Sequence, residues 1–417
     1  MCLTDFAMES KIEIIQINIS GEDKPGMTSS LTDILARYDA FILDIGQANI
    51  HQSLTLGILF MTTSDKSGAI LKELLFKASE LGVMIRFTPI TEEHYQAWVG
   101  RQGKNRYIIT LLGRQVTARH IAGVTKAVAE QGLNIDAIKR LTGRMPLEEE
   151  NRATRACIEL SVRGTLGDKA VLQKRFMELS NEGVDISFQK DDIFRRSRRL
   201  ICFDMDSTLI ETEVIDELAE RAGVGAEVRA ITESAMRGEI DFAESFRRRV
   251  AMLKGLDESV MADIAEHLPF TEGLDRLMHV LKRLGFKTAI LSGGFTYFGN
   301  YLRRKYGFDY VYANELEIED GKLTGRYLGD IVDGKRKAEL LKLISQVENV
   351  DIAQTIAVGD GANDLPMLSV AGLGIAFHAK PKVKATAGQS LSTVGLDGIL
   401  YFLGYKDSYI DDKQFKL

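Results

Sequence analysis

Apolar and polar residues alternate over residues 12–19, with Ile15, Ile17 and Ile19 on one side, and this two-residue period predicts a strand. GEDKPGMT follows and reads as a turn, punctuated by Pro25 and Gly26. Leu31, Ile34, Leu35 and Tyr38 then recur at helical spacing. Strands are predicted at 40–50 and 53–62. A helix carrying Ile70, Leu71, Leu74, Leu75 and Ala78 comes next, and then a strand near 83–90. The order is βαββαβ. It returns with strand 106–112, helix 118–131, strands 133–142 and 154–163, a helix bearing Val171, Leu172, Phe176 and Leu179, and strand 184–189. TGRMPLEEEN, 142–151, is predicted to be a hairpin loop. The copies are offset by roughly ninety residues, longer than solenoid periods, so the pattern describes two domains and not a repeat array.

From residue 200 the pattern changes. A short apolar strand, 200–204, leads into a long helical stretch, about 211–285. Strands at 287–292, 309–312, 354–359 and 373–377 then alternate with helices at 295–306, 335–347 and 363–371. LEIEDGKLTGRY, 316–327, reads as a hairpin with Asp320-Gly321 at its tip. Strands separated by helices predict a parallel sheet with helices on both faces, which binds ligands off the carboxyl ends of its strands. The basic segment DDIFRRSRRL, 191–200, reads as a solvated helix end or linker.

Composition narrows the function classes. The net charge of −6 argues against a general nucleic-acid binder and an anionic-membrane role. No apolar run approaches a bilayer span, and MCLTDFAMESKIEI lacks a signal-peptide pattern. Cys2, Cys157 and Cys202 are scattered and form no CxxC pair, as expected of thiols in a reducing cytoplasm.

The chemistry sits at predicted strand ends. In LICFDMDSTLIETE, an apolar strand stops at Asp204, and Asp206 follows two residues on. Two carboxylates aimed at one point repel unless a cation lies between them or one holds a proton. A hard divalent ion such as Mg²⁺ answers that repulsion, and a carboxylate can also attack phosphorus. TAILSGGF ends in Ser292-Gly293-Gly294, either a phosphate cradle or an ordinary glycine turn. TIAVGDGANDLPML places Asp360 where it can complete a metal site. Asn363 and Asp364 lie beside it, and Asp364 alone would pass for a helix-start acid. VDGKRKAELL offers Lys335 and Lys337 at a helix start, where basic residues oppose the macrodipole.

In this order, these motifs resemble the haloacid dehalogenase superfamily of phosphohydrolases. The resemblance implies Asp204 as nucleophile and Asp206 as general acid, then base. It implies Ser292 and Lys337 on the phosphoryl oxygens, and Mg²⁺ held by Asp204, Asp360 and the backbone carbonyl of Asp206. Asp364 would orient the lysine. FDMDSTLI with Glu213, a helical insert, LSGGF and GDGANDLPML is similar to the phosphoserine phosphatases within it. That implies a cap over the site, Glu213 on the substrate ammonium, and Arg249 in FAESFRRRVAML on its carboxylate. Gly293 and Asn363 would touch substrate, and Met236 and Phe242 would line the cap pocket or merely pack in it. The first half, with DKPG in its first turn, resembles ACT domains, although the second copy has GRQVTARH there.

The expected organisation is then ACT-like domains at 1–95 and 96–190 and a phosphatase at 191–417 with its cap at about 211–285. The fold class is α/β, a Rossmann-like parallel-sheet core behind two ferredoxin-like domains. The expected protein is a cytoplasmic homodimer that hydrolyses O-phosphoserine through a phospho-aspartate, the last step of serine biosynthesis, and that senses an amino acid, the product serine. A phosphatase or phosphotransferase of other specificity, and an amino-acid sensor on a dead phosphatase scaffold, are the competing readings.

Overall fold

The structure, a computed structural model, describes residues 11–100, 105–143 and 155–410, excluding the side chain of Met236. The hairpin loop expected at 142–151 therefore lies mostly outside the described residues, as does Cys2. The chain divides into two compact units, Met1–Gly103 and Lys104–Leu417.

The first unit contains β1 (Ile12–Glu22), α1 (Met27–Arg37), β2 (Phe41–Ile50), β3 (Ser53–Thr63), α2 (Ser64–Leu81), β4 (Met84–Ile90) and α3 (Glu92–Val99). Its strands form an antiparallel sheet in the order β2-β3-β1-β4. Alternation along β1 and β3 turns Ile15, Ile17, Ile19, Leu56, Ile58 and Phe60 towards Leu31, Ile34, Ile70 and Leu74 of the two long helices. The predicted βαββαβ order holds. The short α3, capped by the Thr91 side chain accepting from His94 N at 3.2 Å, was not anticipated.

The second unit opens with the same arrangement: β5 (Arg106–Gly113), α4 (Ala118–Glu130), β6 (Asn134–Arg140), β7 (Ala156–Arg163), α5 (Lys169–Ser180) and β8 (Asp185–Lys190), in sheet order β6-β7-β5-β8. The turn α6 (Ile193–Arg196) then leads to β9 (Leu200–Phe203). Helices α7 (Val214–Arg221), α8 (Gly225–Met236), α9 (Phe242–Met252), α10 (Ser259–Glu266) and α11 (Leu274–Arg283) precede β10 (Lys287–Phe295). There follow α12 (Thr296–Tyr306), β11 (Tyr310–Glu319), β12 (Lys322–Leu328), α13 (Gly334–Val347), β13 (Thr355–Gly359), α14 (Leu365–Val370), β14 (Leu373–Phe377), α15 (Pro381–Ala387), β15 (Ser390–Leu391), α16 (Ile399–Phe402) and α17 (Asp407–Ile410). The seven-stranded sheet runs β12-β11-β10-β9-β13-β14-β15, parallel apart from the β11–β12 hairpin.

A bridge between Ile210 and Phe270 brings the two ends of the helical insert together. Helices α7–α10 lie within that loop of chain, and α11 comes after its return and buries Leu274, Leu277, Met278 and Leu281. The hairpin grips the insert: Gly255 N donates to Leu323 O at 2.7 Å and Leu323 N to Leu256 O at 2.9 Å.

The basic segment 191–200 is only in part the solvated helix end or linker its composition suggests: α6 leaves Arg196 exposed, and Arg199 is exposed too, but two of its arginines are drawn inward. Arg195 is 5% exposed and meets Glu159 at 2.9 Å, and Arg198 donates to the carbonyls of Ala353 and Thr355. A guanidinium can be buried when acceptors meet its fork of donors, and acceptors remote in sequence leave no mark on local charge. The same junction is held by the Asp185 carboxylate, which accepts from Ser392 N and Thr393 N at 2.8 Å each. The Gln389 side chain pairs with both backbone groups of Phe188 as a strand would.

Candidate active site

Three adjacent strands, β10, β9 and β13, bring the predicted motifs to one edge of the sheet. Leu200, Ile201, Cys202 and Phe203 are fully buried between parallel neighbours, so the strand places the next residue, Asp204, just past the sheet. Asp204 N donates to Val358 O at 2.9 Å, and the residue is 5% exposed. Asp206 is 8% exposed and accepts from Val214 N at 3.3 Å, at the start of the insert. Ser292, at the end of β10, is buried, with its Oγ accepting from Gly294 N at 2.9 Å. A Cβ on Gly294 would collide with the Asp206 carboxylate, and one on Gly359 with that of Asp364, so both motifs need glycine for close approach.

The structure separates the two candidate lysines. Lys335 is exposed and lies 3.8 Å from Glu339. Lys337 is fully buried, with Nζ 2.9 Å from Asp204 Oδ1 and 2.7 Å from Asp364 Oδ1. The second oxygen of Asp364 accepts from Gly361 N at 3.0 Å, so that carboxylate is occupied on both sides. Asp204 Oδ1 also accepts from Met205 N at 2.8 Å, and Asp204 Oδ2 has no partner among the described residues. Asp360 Oδ1 receives the buried Thr208 hydroxyl at 3.4 Å.

Carboxylate oxygens of Asp204, Asp360 and Asp364 all lie within 4.8 Å of one another. Burial pushes the Asp204 carboxyl well up, and Asp364 adds to the effect against the pull of Lys337. Burial also raises Asp206, with Glu213 and Asp204 reinforcing it. Asp360 is pushed up to about 7 by burial, then by Asp364 and Glu213. Burial disfavours the charge on Lys337, yet Asp204 and Asp364 hold its pKa above the ordinary lysine value. Several buried carboxylates facing one lysine is an excess of negative charge that a hard cation would neutralise. The oxygens left open, on Asp204 and Asp360, fit such an ion.

The insert supplies the other predicted residues. Glu213 is exposed and accepts from the Ser207 hydroxyl at 2.8 Å. Arg249 is half-buried on α9. Burial lowers its pKa, and Glu213, Asp216 and Asp206 oppose that shift. Its Nε is buried without a partner among the described residues. Arg247 and Arg248 are exposed and pair with Glu244. The Phe242 ring covers the phosphate-loop candidate: a Cβ on Gly293 would lie 3.1 Å from Phe242 Cζ. Asn363 places its carbonyl against Gly334, at the start of the helix that bears Lys337.

Two residues here escaped the sequence reading. Asn314 is 1% exposed. Its amide donates to Gly293 O at 2.8 Å and Gly294 O at 3.3 Å, and its oxygen accepts from Val332 N at 2.9 Å. It therefore ties the β10 loop to the segment before α13. The signal was available, a lone amide closing the apolar run YVYAN. Thr208 sits inside the FDMDSTLI motif, but nothing local pointed it at Asp360.

Residues 201–369 match the haloacid dehalogenase-like hydrolase family, and residues 13–88 and 106–189 each match an ACT domain family. A phosphoserine phosphatase of Mycobacterium tuberculosis is 40% identical over 400 residues, spanning 95% of this chain and 94% of the relative. A haloacid dehalogenase-family hydrolase structure from Salmonella enterica has a TM-score of 0.59 and 32% identity, covering 74% of this chain and 99% of that one. A probable phosphoserine phosphatase structure from Vibrio cholerae has a TM-score of 0.55 and 33% identity, covering 76% and 90%. The chain belongs to the phosphoserine phosphatase family of haloacid dehalogenase-like hydrolases and carries two ACT domains ahead of its hydrolase core.

Proposed function

We propose that this chain hydrolyses O-phosphoserine to serine and phosphate, the closing step of serine synthesis, with Asp204 as nucleophile. The observation that carries the reading is the buried pair of Asp204 and Lys337, 2.9 Å apart at the carboxyl end of the central strand. Asp204 attacks phosphorus as the bond to the serine oxygen breaks, and Asp206, whose raised pKa favours the protonated form, gives its proton to the departing alkoxide. Asp206 then takes a proton from the water that attacks the aspartyl phosphate, freeing phosphate and restoring Asp204. Ser292 and Lys337 hold the phosphoryl oxygens, and Asp364 fixes Lys337. These are positioning and charge-neutralising roles, which phosphoryl transfer needs most. Mg²⁺ held by Asp204, Asp360 and the Asp206 carbonyl would supply the remaining positive charge.

Glu213 takes the substrate ammonium and Arg249 its carboxylate, with Gly293 and Asn363 completing the pocket and Phe242 closing it. A guanidinium fork suits a carboxylate, and Arg249 has a buried Nε to offer. The direct test is phosphate release from O-phosphoserine with Mg²⁺, with and without added serine. Arg249→Ala should raise KM for O-phosphoserine by about tenfold or more, the scale of one lost charge-assisted pair, while leaving an aryl phosphate little changed. Equal losses on both substrates would remove Arg249 from the specificity pocket.

Acidity around Asp360 gives a second test. An unfolded aspartate titrates near ~3.9, and the folded Asp360 near about 7. Between those values the folded state holds a proton that the unfolded chain has lost, so stability falls as pH rises through the window. Metal-free protein should show a larger fall in melting midpoint from pH 5 to pH 8 than its Asp360→Asn variant. Mg²⁺ should raise the midpoint more at pH 8 than at pH 5. Identical profiles for the two proteins would contradict this electrostatic picture.

The N-terminal half fits regulation by an amino acid, with serine the product to sense. Its division into ACT domains at 1–95 and 96–190, ahead of a phosphatase at 191–417, is part of the same proposal, as is a homodimer. Phe41, Ile45 and Ile50 are exposed on the edge strand β2, which suits a contact between copies. No helix among the described residues is long and apolar enough to cross a membrane. The unpaired buried thiols of Cys157 and Cys202 suit a reducing cytoplasm.

A further inference from the structure

Ser207 holds a backbone conformation that side chains disfavour. Its φ is +56°, in the left-handed region. A Cβ crowds the backbone there, and Asn, Asp and His are the usual exceptions to glycine. Among the described residues, the other non-glycine residues with positive φ lie elsewhere. Asp39 and Asn349 follow helices, His51 and Asp320 lie at hairpin tips, and His378 follows β14. Ser207 instead comes directly after Asp206, inside the candidate site. The turn around it is tight. Thr208 N, Leu209 N and Ile210 N all donate to Met205 O, at 3.3, 2.8 and 3.2 Å, and Ser207 N donates to Thr212 O at 3.3 Å. Glycine would make this turn without the strain.

What serine adds is one hydroxyl, and it donates to Glu213 Oε1 at 2.8 Å. Glu213 stands at the N-cap of α7, yet its side chain makes no capping bond. Val214 N donates to Asp206 Oδ1 at 3.3 Å and so fixes the backbone beside Glu213. Ser207 fixes the far end of the side chain, and Glu213 Oε2 has no partner among the described residues. Asp206, Asp360 and Arg249 all feel the charge of Glu213, so the carboxylate lies towards the site. Water competes for a hydrogen bond to an exposed carboxylate, so this one adds little to the fold. A strained residue whose one added bond contributes little stability is accounted for by function.

We infer that Ser207 is a positioning residue for substrate selection: its hydroxyl pins one oxygen of Glu213 so that the other meets the ammonium of O-phosphoserine. The inference rests on the reading of Glu213 as the partner of that ammonium. Without the pin, the glutamate rotates freely and must be ordered as substrate binds, a cost that appears in affinity.

The full chain is assayed with Mg²⁺ on O-phosphoserine and on its deamino analogue, the phosphate ester of β-hydroxypropionate. The analogue keeps the phosphate and the carboxylate and lacks the ammonium. Ser207→Ala loses the hydroxyl and keeps the strain, whereas Ser207→Gly loses both. Both variants should raise KM for O-phosphoserine by about fivefold, the scale of one hydrogen bond to a charged group. The larger part of the loss should lie in KM and not in kcat. The preference for O-phosphoserine over the analogue, in kcat/KM, should fall by the same factor. Ser207→Gly should nevertheless melt above Ser207→Ala, because only the alanine keeps a Cβ on left-handed backbone. KM then follows the hydroxyl and stability follows the Cβ, a split that a merely structural serine would not produce. In a Glu213→Ala background, Ser207→Ala should raise KM no further. The inference is overturned if Ser207→Ala keeps the parent's KM, or if KM follows the melting midpoint across the two variants. It is also overturned if both substrates lose equally, or if the rise in KM persists at full size without Glu213. A parent that does not hydrolyse O-phosphoserine would overturn the phosphatase reading and this inference with it.

Discussion

Asp204→Asn should abolish phosphate release from O-phosphoserine, a fall of about 10⁴-fold or more, as removal of a nucleophile acting in concert with its partners does. It should do so without weakening the fold. Asp204, Asp206, Asp360 and Asp364 crowd one buried region, and Lys337 is the cation that meets two of them directly. An amide at 204 removes a carboxylate that burial and Asp364 already disfavour in its charged form. Lys337 keeps Asp364 at 2.7 Å, so no buried cation is stranded. The metal-free variant should therefore melt at or above the parent's midpoint at pH 8. The pairing of lost turnover with unchanged or greater stability separates a nucleophile from a structural acid. Normal hydrolysis by the variant would end the nucleophile assignment. A midpoint lowered by several degrees would show instead that Asp204 is net stabilising.

Features of this fold are legible in the chain where the residues that cause them are neighbours in sequence. Strands and helices of both ACT-like halves were legible because periodicity is a property of neighbouring residues: Ile15, Ile17 and Ile19 declare their face without any partner. The site motifs were legible because each is a strand end followed by small or acidic residues, and the parallel sheet collects such ends on one edge. What stayed hidden depended on remote partners. Lys335 and Lys337 look alike in GKRKAEL, and only the placement of Asp204 and Asp364 makes one buried and the other exposed. The basic run at 191–200 read as solvated because Glu159 and the carbonyls of Ala353 and Thr355 are distant in the chain. Helix α3 was missed because its EEHYQAWV buries none of its residues, so it carries no inward stripe to detect.

Lys337→Met should do the opposite of Asp204→Asn to the fold and the same to the activity. The side chain is fully buried and lies within 2.9 Å of both Asp204 and Asp364. Removing it leaves two buried carboxylates facing each other with no cation between them. Removing one partner from a buried ion pair typically costs ~3–5 kcal/mol, chiefly through the charge left uncompensated. Methionine keeps the volume of the stem, so the loss is electrostatic and not a cavity. Urea unfolding without metal should show the midpoint moving down with an unchanged slope, the mark of lost stability rather than altered compactness. Turnover should fall as well, because the phosphoryl oxygens lose a donor that was fixed in place before substrate arrives. Adding Asp364→Asn to Lys337→Met should recover much of the stability and none of the activity, since it removes the repulsion but restores no donor. Such non-additivity is expected of residues in direct contact. If Lys337→Met unfolds at the parent's urea concentration, the lysine is not what makes the buried carboxylates tolerable, and the charge balance proposed for the site must be redrawn around the metal alone.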